Sequence, residues 1–234
     1  MRLGGLQKLT LLDFPGHVAC TVFTQGCNFR CPFCHNTPLV TGTSDPDYPI
    51  EDFFRFLEKR QGILDGVAIT GGEPLLHRDI PDFIRRIHEL GFAVKLDTNG
   101  AFPDLLRQLI EDGLVDYVAM DIKNSPGKYE QTAGVSGILP AVQESAALLM
   151  EGRVPFEFRT TLVDELHEPE DFEAIGKWLS GTKNYFIQSF VDSGNILHEG
   201  MHEASREKTM RCLAAARKYI PEAALRGTEE DKEK

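Results

Sequence analysis

Apolar and polar positions along this chain fall into short runs whose period keeps changing, and each change marks an element. His17 to Thr24 (HVACTVFT) is apolar and β-branched with little alternation, which predicts a buried strand. A loop rich in Pro, Gly and Asp follows to Pro49. Ile50, Phe53, Phe54 and Leu57 then recur at helical spacing within Ile50 to Gln61, and Gly62 is a natural stop. Val67 to Thr70 predicts a strand, Ile80 to Leu90 an amphipathic helix ended by Gly91, and Phe92 to Leu96 a strand. Pro103 to Asp112 reads as a helix with proline near its start and Gly113 beyond its end. Strands over Val115 to Met120, Val154 to Val163 and Tyr185 to Val191 complete the pattern. Helices over Leu139 to Glu151, Glu170 to Leu179 and Glu203 to Tyr219 alternate with them.

Six strands alternating with helices predict an α/β fold with a parallel sheet and right-handed crossovers. An open doubly wound sheet and an incomplete parallel barrel both satisfy the pattern, and in either one chemistry collects at the C-terminal strand ends. No repeat and no linker divides the chain, so residues 1–226 are expected to form one domain. Residues 227–234, with Glu229, Glu230, Asp231 and Glu233, read as a disordered acidic tail.

Composition narrows the function. The 234 residues are 41% hydrophobic and carry a formal net charge of −11, which disfavours nucleic-acid partners. No apolar run approaches the ~20 residues that span a bilayer, and the first sixteen positions do not resemble a signal peptide. A cytoplasmic protein without membrane partners is expected. Of five cysteines, Cys27, Cys31 and Cys34 crowd into one C-x3-C-x2-C segment after the first strand. Such clustering points to metal or redox chemistry rather than a disulfide scaffold.

Three thiolates on one short loop can curl around a single centre. Iron–sulfur clusters normally take four cysteines, so three without an obvious fourth favour a 4Fe–4S cubane with one iron left open. A structural zinc would want a fourth ligand. His35 lies too close in sequence, and His17 or His77 would have to fold in. A thioredoxin-like pair would use Cys31 and Cys34 and leave Cys27 unexplained. Cys20 and Cys212 sit among apolar neighbours and read as core.

The segment Cys27-Asn28-Phe29-Arg30-Cys31-Pro32-Phe33-Cys34, followed by the strand Val67–Thr70 running into Gly71-Gly72-Glu73-Pro74, resembles the radical S-adenosylmethionine (SAM) superfamily. That resemblance implies an incomplete (β/α)6 barrel, with SAM bound at the open iron and its methionine part held by Gly71, Gly72, Glu73 and Pro74. Two glycines would let backbone approach a ligand, and the Glu73 carboxylate would accept from the methionine ammonium. Cys34-His35-Asn36, Leu96-Asp97-Thr98-Asn99-Gly100, Met120-Asp121-Ile122-Lys123, Asp13-Phe14-Pro15-Gly16 and Arg159 are similar to glycyl-radical enzyme activases, above all those of anaerobic ribonucleoside-triphosphate reductase. Activases of this type use one electron to cleave SAM and move a hydrogen atom from a glycine of the partner to the 5′-deoxyadenosyl radical. By the same resemblance Phe33, Asn36 and Asn99 lie at the cofactor, and Asp97, Thr98 and Asp121 match positions near a monovalent cation. Lys123 matches a catalytic position near the substrate, and Arg159 one at the cofactor carboxylate. A low-potential donor such as flavodoxin or ferredoxin is implied as a second partner.

Simpler readings exist for the later positions. Asp97 to Gly100 could be only a capped turn, Asp121 and Lys123 an exposed pair, and Asn36 a loop residue. Pyruvate formate-lyase activases resemble the chain closely but carry an aromatic–histidine pair where this sequence has Phe190-Val191. The rival enzyme class is a small-molecule radical enzyme of the 7-carboxy-7-deazaguanine synthase type. The rival outside enzymes is a zinc- or cluster-binding scaffold.

Overall fold

A computed structural model of the chain describes residues 1–42, 47–192, 194 and 196–227. Eight strands form one sheet in sequence order. They are β1 (Leu3–Thr10), β2 (Ala19–Thr24), β3 (Gly66–Gly71), β4 (Ala93–Thr98), β5 (Tyr117–Asp121), β6 (Phe156–Leu162), β7 (Tyr185–Ser189) and β8 (Ala224–Arg226). β2 to β7 are the six strands expected, each parallel to the next. The outermost strands β1 and β8 do not pair with one another, so the barrel stays open. This is the incomplete (β/α)6 barrel, with one strand added at each edge.

Helices alternate with the strands: α1 (Thr37–Thr41), α2 (Ile50–Glu58), α3 (Ile80–Glu89), α4 (Pro103–Glu111), α5 (Tyr129–Ala133), α6 (Leu139–Met150), α7 (Pro169–Trp178) and α8 (Arg206–Arg217). Each longer helix turns an apolar stripe onto the sheet. On α2 that stripe is Phe53, Phe54 and Leu57, and Phe53 stacks on Phe83 of α3 with ring centroids 5.3 Å apart. The predicted start of α8 at Glu203 moves to Arg206, because the Ser205 hydroxyl caps it by accepting from the Lys208 amide at 3.2 Å.

Strand side chains alternate between two environments. Val67, Ile69, Val94, Leu96, Val118 and Met120 are fully buried in the layer beneath the helices. The opposite parity supplies Lys95, Asp97, Tyr117, Asp121, Glu157, Arg159 and Thr161 to the inside of the barrel. There the Glu157 carboxylate accepts from both terminal nitrogens of Arg226, at 2.6 and 2.8 Å, and from the Tyr117 hydroxyl at 3.0 Å. Charged residues fill the lower barrel and leave its top hollow.

Of the acidic tail expected over 227–234, residues 228–234 lie outside the described residues. Among the described residues no helix is long and apolar enough to cross a membrane.

Candidate active site

A cavity of about 280 Å³ opens at the C-terminal ends of the parallel strands. Cys27, Cys31, Cys34, Phe33 and Asn36 line one side of it. Gly71, Gly72, Glu73, Asp97, Thr98, Asn99, Asp121, Lys123 and Arg159 line the rest. Every candidate but Pro74 therefore meets in one place, although the positions span more than half the chain. Pro74 is buried in the first turn of a short 3-10 helix, where it continues the chain away from the cavity.

Backbone bonds pin the cysteine loop from three sides. The Glu73 amide donates to the Gly26 carbonyl at 2.8 Å, the Arg30 amide to Ala133 at the end of α5 at 2.8 Å, and the His198 amide to Pro32 at 3.0 Å. Asn36 donates from its side chain to the Gly71 carbonyl at 3.1 Å, which ties the loop to the end of β3. Its place is structural as well as on the cavity wall.

All five cysteines are free. Burial pushes the Cys27 thiol up to about 11 and the Cys31 thiol up to about 12, so both stay protonated at neutral pH until a metal displaces the proton. Two donors already face Cys27: the Phe29 amide 3.4 Å from its Sγ and the Asn99 amide nitrogen at 3.8 Å. Among the described residues no group of three or more His, Cys, Asp or Glu is placed to hold a single metal ion. The thiols instead border a shared cavity. Three soft sulfur donors and N–H groups aimed at sulfur fit an iron–sulfur cluster.

The glycine pair also meets a packing constraint within the fold. A Cβ on Gly72 would lie 1.9 Å from the Gly26 carbonyl oxygen, and one on Gly71, whose φ is +109°, would lie 2.6 Å from the Thr24 amide nitrogen. Gly72 admits the start of the cysteine loop at Gly26, and Gly71 the end of β2 at Thr24. Glu73 is likewise tied into the fold. Its carboxylate accepts from the Leu75 amide at 3.1 Å, the Thr98 hydroxyl at 2.8 Å and the Asn99 amide at 2.7 Å. It staples β3 to β4 and keeps one acceptor position to spare. Burial still pushes it up to about 7 against those three donors.

Deeper in the cavity, charges alternate. Arg159 donates from Nε to Asp121 at 2.9 Å and from a terminal nitrogen to Asp97 at 3.3 Å. Lys123 donates to the other Asp121 oxygen at 3.0 Å, and Lys95 donates to Asp97. Register explains the contacts, since Asp121 sits beside Arg159 across the β5–β6 ladder. Burial would raise the Asp121 carboxyl, but Arg159 and Lys123 outweigh it and hold it well below the usual range. Lys123 and Asp121 are thus not an exposed surface pair; Lys123 is 17% exposed and reaches its ammonium to 5.9 Å from the Phe33 ring centre. Asp97 to Gly100 is a turn as well as a cavity wall: Asn99 Oδ1 accepts from the Ala101 amide at 3.0 Å.

Sequence reading missed Lys95, along with the wall residues Phe29, Val40, Thr70, Thr161 and Gln188. Strand parity was the available signal for Thr70 and Thr161, which share a face with known cavity positions.

Comparisons with known proteins agree with this geometry. A protein of Methanocaldococcus jannaschii named "putative glycyl-radical enzyme activating enzyme" is 31% identical over 96% of this chain and 95% of its own. The pyruvate formate-lyase-activating enzyme of Listeria monocytogenes is 26% identical over 78% of this chain and 77% of its own. A probable GTP 3′,8-cyclase of Thermococcus kodakarensis is 31% identical over 84% of this chain but 60% of its own. Streptococcus suis SuiB bound to S-adenosylmethionine shares the fold with a TM-score of 0.69 at 15% identity, over 88% of this chain and 49% of SuiB. The sequence profile described as "Radical SAM superfamily" matches residues 21–179. With the three thiols placed on one cavity inside that span, the chain belongs to the radical SAM superfamily of enzymes.

Proposed function

We propose that this protein is an activase that installs a glycyl radical on a partner enzyme, most closely suited to an anaerobic ribonucleoside-triphosphate reductase. One observation carries the reading: Cys27, Cys31 and Cys34 share a single cavity with the GGE turn and the Asp97–Arg159–Asp121–Lys123 network. The family implies a 4Fe–4S cluster and SAM, which supply one-electron cleavage to a 5′-deoxyadenosyl radical.

The chain's own residues hold, orient and shield. Cys27, Cys31 and Cys34 are the cluster ligands in this reading, with Asn99 and the Phe29 amide braced against the first of them. Arg159 and Lys123 present positive charge for the cofactor carboxylate, and the spare acceptor of Glu73 faces its ammonium. Asn36 and Phe33 close the wall behind. The sheet ends at β1 and β8 without closing, and in this reading a partner's peptide loop approaches the cavity from that open side. Oxygen-sensitive chemistry with five free thiols belongs in a reducing compartment, which supports the cytoplasm. A low-potential flavodoxin or ferredoxin is the matching electron source.

Anaerobic reconstitution tests the reading. About four iron and four sulfide per chain are expected, with release of 5′-deoxyadenosine on reduction. Alanine at Cys27, Cys31 or Cys34 abolishes both; alanine at the buried Cys20 or Cys212 does not. Added to the reductase with SAM and reductant, the protein is expected to give a glycyl-radical resonance that disappears when the accepting glycine is replaced by alanine. A single zinc without sulfide would remove the cluster from the account. A radical formed only on pyruvate formate-lyase would change the partner, and a modified heterocycle would change the class.

A further inference from the structure

Asp97 and Asp121 are the two carboxylates that the family resemblance assigns to a monovalent cation, and such an ion needs their oxygens. Each of those oxygens already accepts from a fixed cation, and although Asp97 keeps two acceptor positions and Asp121 one, charge rather than lone-pair number decides whether an ion can join them. Asp97 gives one to Lys95 and the other to an Arg159 terminal nitrogen at 3.3 Å. Asp121 gives one to Arg159, through Nε and a terminal nitrogen each at 2.9 Å, and the other to Lys123 at 3.0 Å. Two carboxylates therefore meet three fixed cations, and the cluster carries one positive charge in excess.

Lys95 is what tips this balance. It stands on β4 two residues before Asp97, so strand alternation places both side chains on the inside of the barrel. Its side chain is 2% exposed, which leaves water no easy route to displace it. A further potassium or sodium ion would enter a site that is already positive, against charge repulsion. The family's cation does not fit here.

We propose that the Lys95 ammonium stands in for a bound monovalent cation at this acidic pair, so that SAM binding needs no added K⁺ or Na⁺. This inference rests on the reading that the cavity takes SAM. What the lysine supplies is a tethered positive charge beside Asp97, delivered from below and leaving the cavity mouth free. A merely structural lysine would predict no link between residue 95 and the response to salt cations.

The test is titration of SAM into the anaerobically reconstituted enzyme by calorimetry, in tetramethylammonium buffer with and without K⁺. Wild-type affinity is expected to change less than about twofold on adding K⁺, whereas Lys95→Met, which frees an Asp97 oxygen, is expected to gain about tenfold. Wild-type affinity that depends on K⁺ overturns the inference, and so does a Lys95→Met variant as indifferent to K⁺ as the wild type. If that variant does not fold, thallium(I) magnetic resonance on the wild-type holoenzyme with SAM decides: no bound ion supports the replacement, a stoichiometric one overturns it. Absence of SAM binding in every buffer would instead defeat the reading of the cavity itself, and the replacement with it.

Discussion

A methyl group added at Gly72 would point its carbon into the Gly26 carbonyl, 1.9 Å away, where no rotamer can relieve the contact. The end of β3 and the start of the cysteine loop would have to separate, at a cost of about 1–3 kcal/mol or more for such overpacking. Gly72→Ala is thus expected to lower both the melting temperature and the iron retained after reconstitution. Retention of a full cluster at wild-type stability would show that the loop yields freely. Sequence reasoning expected the two glycines to make room for a ligand, because the neighbour across the turn is invisible in one dimension. Glu73, next in the chain, gives a pH prediction. Its folded carboxyl titrates near 7, above its ordinary 4.5, so the folded state holds the extra proton between those values. That contribution to stability is complete below about 4.5 and is lost as pH rises through 7. Between pH 6 and pH 8 this lowers the melting temperature of the metal-free protein, a slope superposed on an opposite one from His35, His77 and His167, whose imidazoles burial holds below their usual range. Glu73→Gln should remove the Glu73 share of the measured slope, whatever it does to absolute stability, and an unchanged slope would assign the effect elsewhere. The three cysteines were legible because their chemistry lies in residue type and spacing. Lys95 was not, since one lysine in a strand reads as a solvent-facing position until the sheet curls around it.

Among the elements, the six parallel strands and the longer helices declared themselves through hydrophobic period, and the structure moves their ends by only a few residues. β1 escaped because its side chains are buried only at the two ends of the strand, and its ladder to β2 is broken by register shifts. It is held by backbone bonds, which leave no mark on the hydrophobic pattern. α1 and α5, of five residues each, are too short to show a period. β8 has three residues, yet it brings Arg226 onto Glu157, whose side chain is 1% exposed. Removing one member of such a pair strands a buried charge, at ~3 kcal/mol or more. Arg226→Ala is therefore expected to shift the urea midpoint strongly. Arg107→Ala, which breaks an exposed pair with Glu144, should cost less than ~1 kcal/mol. Equal losses from the two variants would mean that β8 does not seal the lower barrel.

For the whole molecule, the consequential feature is a sheet that stops before it closes. A full barrel of eight units surrounds its centre, and its substrates enter over the top. Here the parallel run ends at β8, the antiparallel β1 guards the other edge, and the charged network lies between them. In the proposed reading a partner glycine reaches the cavity on a loop that has to extend from its own enzyme. Moving that loop costs ordering free energy, which is subtracted from whatever the interface gains. The surface adds no steering toward a partner that is itself acidic, since a formal charge of −11 would repel it. The complex with the proposed reductase partner is consequently expected to be weak and conditional, with a Kd of about a micromolar or above. Sedimentation of the two proteins in the presence of SAM, at low and high ionic strength, measures it. Affinity should hold or improve as salt screens the repulsion, because the screening acts on like charges. A nanomolar complex that forms without SAM and loosens as salt rises would show that the partner arrives with its loop already presented, on a surface of opposite charge.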